Sequence, residues 1–266
     1  MKKTRWKALL IKRRLKLYIL RVMLPVAAAG LFSVPAAQGA IVTTTADFDT
    51  VITSTNPNMF YGTAGSMEIA AAASPKNMIQ NALFSFNTAG IVSQLNTLYG
   101  ANHWTITSAA VTLYSNNPST GAQSSNSNWA TVNPGSFTLN WLSNDSWYTG
   151  QVTYNTLPIY LPGVGSNLME TVATYNYQAD GTTPLTWTLS NNYSLLNDIM
   201  AGGEVTFLGT PASNSTVGYN FCQQSVAGKA AVLTVTANPV PIPAAAWLFG
   251  SGLLGLAGVR RKFFGV

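Results

Sequence analysis

Alternation of apolar and polar residues with a period of two is the feature that most restricts the fold of this chain. Side chains of a strand point to opposite faces in turn, so this period predicts half-buried β-strands. Eleven runs follow it, at residues 48–53, 66–70, 82–86, 105–115, 136–142, 151–155, 170–177, 184–189, 204–208, 217–222 and 230–236. Turn-forming residues separate them, which predicts an all-β protein, a β-sandwich of jelly-roll type.

Two short helices are predicted between these strands. Apolar residues recur there at helical spacing, and the second pattern ends at a glycine pair typical of a helix C-terminus. The residues are Ile91, Leu95 and Leu98, and then Leu195, Leu196, Ile199 and Met200 before Gly202 and Gly203. Residues 116–135 are rich in Ser, Asn and Pro and predict a long exposed loop.

The last 28 residues, 239–266, predict a membrane segment rather than part of the sandwich. Residues 244–259 contain no charged side chain. As a helix these residues span about 24 Å, less than the ~30 Å bilayer core. The residues that precede the helix and the snorkelling of the basic side chains lengthen the span towards that thickness. Arg260, Arg261 and Lys262 follow directly, so the positive-inside rule places the C-terminus in the cytoplasm and the body outside.

This tail, from Val240 through the Ala-Ala-Ala-Trp-Leu-Phe-Gly-Ser-Gly-Leu run to Lys262, resembles the PEP-CTERM protein-sorting signal. The resemblance implies recognition by an exosortase, a membrane-embedded cysteine transpeptidase of Gram-negative bacteria, and only transient anchoring in the inner membrane. The name-giving Pro-Glu-Pro is Pro241, Ile242 and Pro243 here, so the acidic residue is missing. A permanent C-terminal anchor is the alternative.

The N-terminus has the pattern of a secretory signal peptide, which the secretion translocon would read. Nine basic residues precede residue 22, an apolar stretch covers 22–34, and Ala37 and Gly39 supply small residues before a predicted cleavage site. The predicted organisation is therefore a signal peptide at 1–39, an extracellular β-sandwich domain at 41–238 and a sorting signal at 239–266.

Removal of both ends reverses the charge of the chain. The whole sequence carries +6, but its body keeps only two basic residues, Lys76 and Lys229, against all eight acidic ones, which gives −6. The basic isoelectric point thus belongs to the sorting segments, and no nucleic-acid partner is expected.

The order of short motifs in the body resembles the DNRLRE, or disaggregatase-related, domains of exported proteins. These motifs are residues 49–52, the Asn-Pro-Asn-x-x-Tyr-Gly turn at 56–62, and residues 82–86, 106–114, 147–150 and 152–158. The strand ending at Phe86 lacks the Arg or Lys usual in that family. The resemblance implies a β-sandwich associated with cell-surface polysaccharide.

Residues for catalysis are few. His103 is the only histidine and Cys222 the only cysteine, so a triad would need His103, which is expected to be a solvated residue before a strand. Cys222 is expected to be buried and inert, with a reactive or intermolecularly bridged thiol as the alternative. Asp145, Glu170 and Glu204 are the carboxylates considered for glycoside hydrolysis.

No cofactor or catalytic metal is predicted. Asp47 and Asp49 alternate along an early strand and could contribute to a structural calcium site, but two carboxylates are few for that ion. A solvated sheet edge is therefore the preferred interpretation of this pair.

Aromatic residues are the candidates for glycan binding, because a sugar ring stacks on an exposed aromatic face while amides and hydroxyls bind its hydroxyl groups. Trp129 lies in the polar loop, and Trp147 and Tyr148 follow an Asn-Asp-Ser turn. Trp141 and Trp187 lie in alternating strands and are expected in the core.

The sequence thus predicts a non-catalytic exported protein of the cell surface or an exopolysaccharide matrix, such as a biofilm. It would act in glycan binding or in matrix structure. A polysaccharide-degrading hydrolase or lyase and a protein-binding adhesin remain the alternatives.

Overall fold

The structure is a computed structural model, and it describes residues 39–74, 78–116, 132–148, 150–162, 169–179, 184–240 and 252. This part of the chain contains eleven strands and three helices. The strands are β1 (Ala40–Thr45), β2 (Phe48–Thr53), β3 (Ser66–Ala70), β4 (Gln80–Asn87), β5 (Trp104–Leu113), β6 (Gly135–Leu142), β7 (Met169–Tyr177), β8 (Leu185–Thr188), β9 (Glu204–Pro211), β10 (Gly218–Cys222) and β11 (Val232–Pro239). The helices are α1 (Ala89–Tyr99), α2 (Leu157–Tyr160) and α3 (Tyr193–Ala201).

The strands form two antiparallel sheets, which confirms the predicted β-sandwich. The first, sheet A, has the order β1-β11-β5-β8. The second, sheet B, has the order β10-β3-β4-β9-β6-β7, and β2 also pairs with β4. The main core fills the space between the sheets and contains residues from every strand except β2.

Sheet B is buried on both faces, a feature that the alternating pattern does not predict. In β4, Ala82, Phe84 and Phe86 face the main core, whereas Leu83 faces the other side. There a second apolar cluster covers the sheet: Ile52, Leu83, Leu142 and Leu208 from the strands, and Trp147, Val152, Leu157 and Leu161 from the segment after β6. We call residues 144–162 the covering segment.

Ten of the eleven predicted strands are confirmed, and their observed ends differ from the predicted ones by at most a few residues. The strand predicted at 151–155 is wrong, since these residues form turns that lead into α2. Thr156 Oγ1 donates to the Gln151 carbonyl at 2.9 Å and accepts from the Thr153 amide at 2.8 Å. These local bonds replace ladder bonds. Strand β1 was not predicted, and it pairs with β11 along its full length.

Both predicted helices are confirmed, but two of the apolar residues in their patterns are exposed. Ile91 and Leu95 of α1 are buried, whereas Leu98 is 60% exposed, and Met200 of α3 is 38% exposed. Helix α3 begins at Asn192, whose side chain accepts hydrogen bonds from the Ser194 and Leu195 amides, and it ends at Gly202 in the left-handed conformation.

Residues 1–38 of the predicted signal peptide, residues 117–131 of the predicted loop at 116–135, and all of the predicted membrane segment at 244–259 except Gly252 lie outside the described residues. Among the residues that the structure does describe, no helix is both long and apolar enough to cross a membrane.

Candidate glycan-binding surface

Trp147 and Tyr148 are adjacent in sequence but differ in exposure. Trp147 is only 6% exposed. Its Nε1 donates to Thr206 Oγ1 at 2.9 Å, and its ring meets Phe48 edge-on at 6.3 Å between centroids. Because sheet B and the covering segment enclose this ring, the expectation that Trp147 presents a free stacking face is corrected. Tyr148 is 54% exposed and keeps its ring accessible.

The other tryptophans divide as follows. Trp141 and Trp187 are each 6% exposed and belong to the main core, as predicted. Trp104 is also buried there, and its Nε1 donates to Asn96 Oδ1 at 2.8 Å. Trp129 lies outside the described residues, so its glycan-binding role stays a prediction.

A surface that the sequence analysis did not predict lies where the turn after β2 contacts the covering segment. The Asn155 amide donates to the Pro57 carbonyl at 3.0 Å, and Asn155 Nδ2 donates to Asn58 Oδ1 at 2.8 Å. Beside this contact, Met59 is 55% exposed and Phe60 is 52% exposed. We call Asn58, Met59, Phe60 and Asn155 the amide–aromatic surface.

The parts of the two segments that form this surface, residues 54–65 and 150–162, include no Asp, Glu, Lys, Arg or His. Within the turn, Asn56 Nδ2 donates to the Tyr61 hydroxyl at 3.1 Å, which fixes the loop shape. The surface therefore offers an aromatic face and amide groups without net charge, the combination that suits a neutral sugar chain. Both segments were noted as separate motifs, but nothing in the sequence showed that they touch.

Asp145 and Glu204, two of the three carboxylates considered for hydrolysis, interact electrostatically. Burial raises the pKa of Asp145 to about 6; Thr206 hydrogen bonds oppose this rise, and the charges of Asp198 and Glu204 add to it. Burial also raises the pKa of Asp198, against the hydrogen bond that Trp141 Nε1 donates to it at 2.7 Å. Glu170 instead lies on β7, opposite Trp141 in the ladder.

His103 and Cys222 lie at opposite ends of β5, so they cannot form a catalytic pair. His103 directly precedes this strand and is exposed, as predicted, whereas the Cys222 amide donates to the Tyr114 carbonyl just beyond its other end. Ten residues at about 3.3 Å each separate the two sites by about 30 Å. Cys222 is a buried free thiol, as expected, and burial raises its pKa to about 11, which keeps it protonated and unreactive.

Asp47 and Asp49 occupy different environments. Asp47 is exposed and accepts from the Asn87 amide at 2.9 Å. Asp49 is fully buried and accepts from the Gln224 amide at 2.6 Å. The preferred interpretation of a solvated edge is therefore wrong for Asp49. No group of three or more His, Cys, Asp and Glu side chains within the described ranges is arranged to hold a metal ion.

Comparison of the chain with protein-family models and with curated proteins gave no match. The two family resemblances therefore stay predictions from the residues.

Proposed function

We propose that this chain is an exported, non-catalytic glycan-binding protein of the cell surface or of an exopolysaccharide matrix. The observation that carries the proposal is the amide–aromatic surface, where exposed Phe60 and Met59 lie beside the hydrogen-bonded Asn58 and Asn155. Sugars present apolar C–H faces and many hydroxyl groups, and this surface offers partners for both. Exposed Tyr148 supplies a second ring on the covering segment.

We further propose that the sandwich is a jelly roll, a fold common among lectin domains. The strand order supports this. Eight strands form the neighbouring sets β1-β11-β5-β8 and β4-β9-β6-β7. In each set a strand from the end of the chain returns beside an early one, β11 beside β1 and β9 beside β4, as Greek-key connections require.

Sorting follows from the two ends of the sequence. The translocon would export the chain, and an exosortase would recognise Pro241 to Pro243 and the basic stop at Arg260, Arg261 and Lys262. Mass spectrometry of the protein from its own cells tests this step. A C-terminus near Pro243 supports sorting by cleavage, whereas an intact tail through Val266 would make the segment a permanent anchor.

Retention on the polysaccharide of the producing strain tests glycan binding. We expect the processed protein to be retained, and Phe60→Ala and Tyr148→Ala each to weaken retention by about three- to tenfold, the contribution of one stacked ring. Tyr193→Ala is the matched control, because Tyr193 is 80% exposed on α3, in neither segment. No retention, or equal losses in all three variants, would contradict the proposal. Self-association that sugars do not affect would favour the adhesin.

A polysaccharide-degrading activity is the second candidate, and one observation favours it. Burial raises the pKa of Asp145 to about 6, and the nearby charges of Asp198 and Glu204 contribute to this rise; a carboxyl group with a raised pKa among other carboxylates is an arrangement that glycoside hydrolysis uses. New reducing ends or unsaturated sugars that Asp145→Asn abolishes would establish this activity. Their absence with the wild-type protein would leave binding as the function.

A further inference from the structure

The chain leaves the sandwich at one defined place, beside the C-terminal end of α1. Strand β11 ends at Pro239, and the next amide, of Val240, donates to the His103 carbonyl at 2.8 Å. The His103 amide in turn donates to the Gly100 carbonyl, directly after α1. The exit point is thus fixed to the turn between α1 and β5.

Only a short connection separates this exit from the apolar segment at 244–259. Four residue steps lead from Val240 to Ala244, and two of the residues between are Pro241 and Pro243. Four residue steps reach about 14 Å at most, whatever conformation they adopt. A membrane that held the apolar segment would therefore lie close to the exit point.

Exposed apolar side chains lie on the elements that meet at the exit, among exposed polar residues such as Asn102 and Asn238. Leu98 is 60% exposed and Val240 46% exposed. Ile41, 69% exposed, lies on β1 opposite Thr236 of β11. Residues 96–105 and 236–240 contain no Asp, Glu, Lys or Arg. We call Ile41, Leu98, Val240 and the turn at 100–103 the exit surface.

Acidic residues lie at the other end of α1. Asp47 accepts from the Asn87 amide, and Glu204 Oε1 accepts from Asn87 Nδ2, just before the first residue of the helix. The eleven residues of α1 span about 16 Å. An anionic membrane next to the exit surface would therefore meet apolar side chains, with these carboxylates held away from it.

We propose that the exit surface rests against the lipid headgroups of the membrane that holds residues 244–259. This contact goes beyond glycan binding and depends only on the predicted membrane segment. It fixes the orientation of the sandwich before the tail is processed, because a short connection and an apolar contact act together.

A fluorescent label tests the contact in the full chain, reconstituted in phosphatidylcholine–phosphatidylglycerol vesicles. Cys222 is buried, so Leu98→Cys supplies the accessible thiol for a polarity-sensitive dye. Val240→Cys is a second reporter on the exit surface. Met59→Cys is the control, since Met59 is 55% exposed in the turn after β2, remote in sequence from the exit. Brominated lipids then quench a dye that touches the bilayer.

We expect brominated lipids to remove most of the fluorescence at positions 98 and 240 and to leave the label at position 59 unchanged. Equal quenching at all three positions would overturn the proposal. So would the absence of quenching in protein that resists carbonate extraction, because the exit surface would then face water or another protein. Release of the chain by carbonate would also overturn it, since no membrane segment would hold the sandwich. Retention of the Leu98→Cys and Val240→Cys samples on polysaccharide reports glycan binding separately, since neither residue belongs to the amide–aromatic surface.

Discussion

Among the single residues of the sandwich, Asp49 has the environment that tells most about its chemistry. It is fully buried on β2, and its Oδ2 accepts from the Gln224 amide while Oδ1 has no hydrogen-bond partner. Burial disfavours the carboxylate and raises the pKa of Asp49 from 3.8 to about 7, although the Gln224 amide opposes this rise. The residue is therefore expected to control how stability depends on pH.

Asp49→Asn should make the protein more stable at pH 8 and change it little near pH 4. The folded state keeps the Asp49 proton up to about pH 7, whereas the unfolded chain loses it near 3.8. Stability contributed by this group thus falls as pH rises from about 4 to about 7, by a few kcal/mol at most. Asparagine removes that loss, since its Oδ1 can still accept from Gln224.

Urea unfolding at several pH values measures the effect. Asp47→Asn is the control, because it makes the same replacement at an exposed position two residues away. A slope in Asp49→Asn as steep as in the wild type would contradict the assignment. A smaller slope should remain, since burial raises the pKa of Asp145 and Asp198 in the same direction.

Trp147→Ala should reduce the free energy of unfolding by about 3–5 kcal/mol, because it removes a large buried side chain from beneath the covering segment. Trp147→Phe should cost less, since it keeps most of the packing and loses chiefly the hydrogen bond to Thr206. Denaturant unfolding measures both, with exposed Tyr148→Ala as the control. A Trp147→Ala protein as stable as the wild type would show that the ring is not buried.

The environments of Trp147 and Asp49 could not be predicted from local sequence. Both follow or precede polar residues, so the sequence indicated exposure. Burial of Trp147 depends on the covering segment, and that of Asp49 on the residue Gln224, which is distant in the chain. By contrast, Trp141 and Trp187 were predicted correctly because each lies in an alternating strand.

At the scale of elements, the covering segment distinguishes sheet B from sheet A. It places Leu157 and Leu161 on Leu83 and Leu208, so β4 and β9 are nearly continuous buried runs. Such a segment is hard to predict, because it is built from turns and the four-residue helix α2, and the period of two at residues 151–155 indicated a strand that does not form. Most strands were predictable, since their side-chain period survives burial on either face.

Helix α3 offers a test of its ending. Gly202 has φ of +77°, a conformation that costs an L-residue about 1 kcal/mol, so Gly202→Ala should be destabilising by roughly that amount. The matched control is Gly203→Ala, where an added Cβ would meet no atom within 4 Å. Thermal unfolding of the two variants compares them. Equal stabilities would contradict the left-handed helix ending.

Basic and acidic residues lie in different parts of the chain. Twelve of the 14 basic residues lie in the predicted signal peptide and basic stop, and all eight acidic residues lie in the sandwich body. Isoelectric focusing of the processed protein should therefore give an acidic isoelectric point, against about 9.5 for the full chain. A basic value for the protein isolated from cells would show that the N-terminal segment with its nine basic residues is retained, since the three basic residues of the tail alone would leave a net charge of −3.

The amide–aromatic surface carries no charge, so a direct measurement can test whether this sandwich binds glycan through uncharged groups. Titration calorimetry of the processed protein with the polysaccharide of its own strain, at low and at high salt, provides it. Salt screens interactions between charges and leaves ring stacking and neutral hydrogen bonds nearly unchanged. We expect the same Kd at both salt concentrations and a higher Kd for Phe60→Ala. No binding, or binding that high salt abolishes, would contradict it.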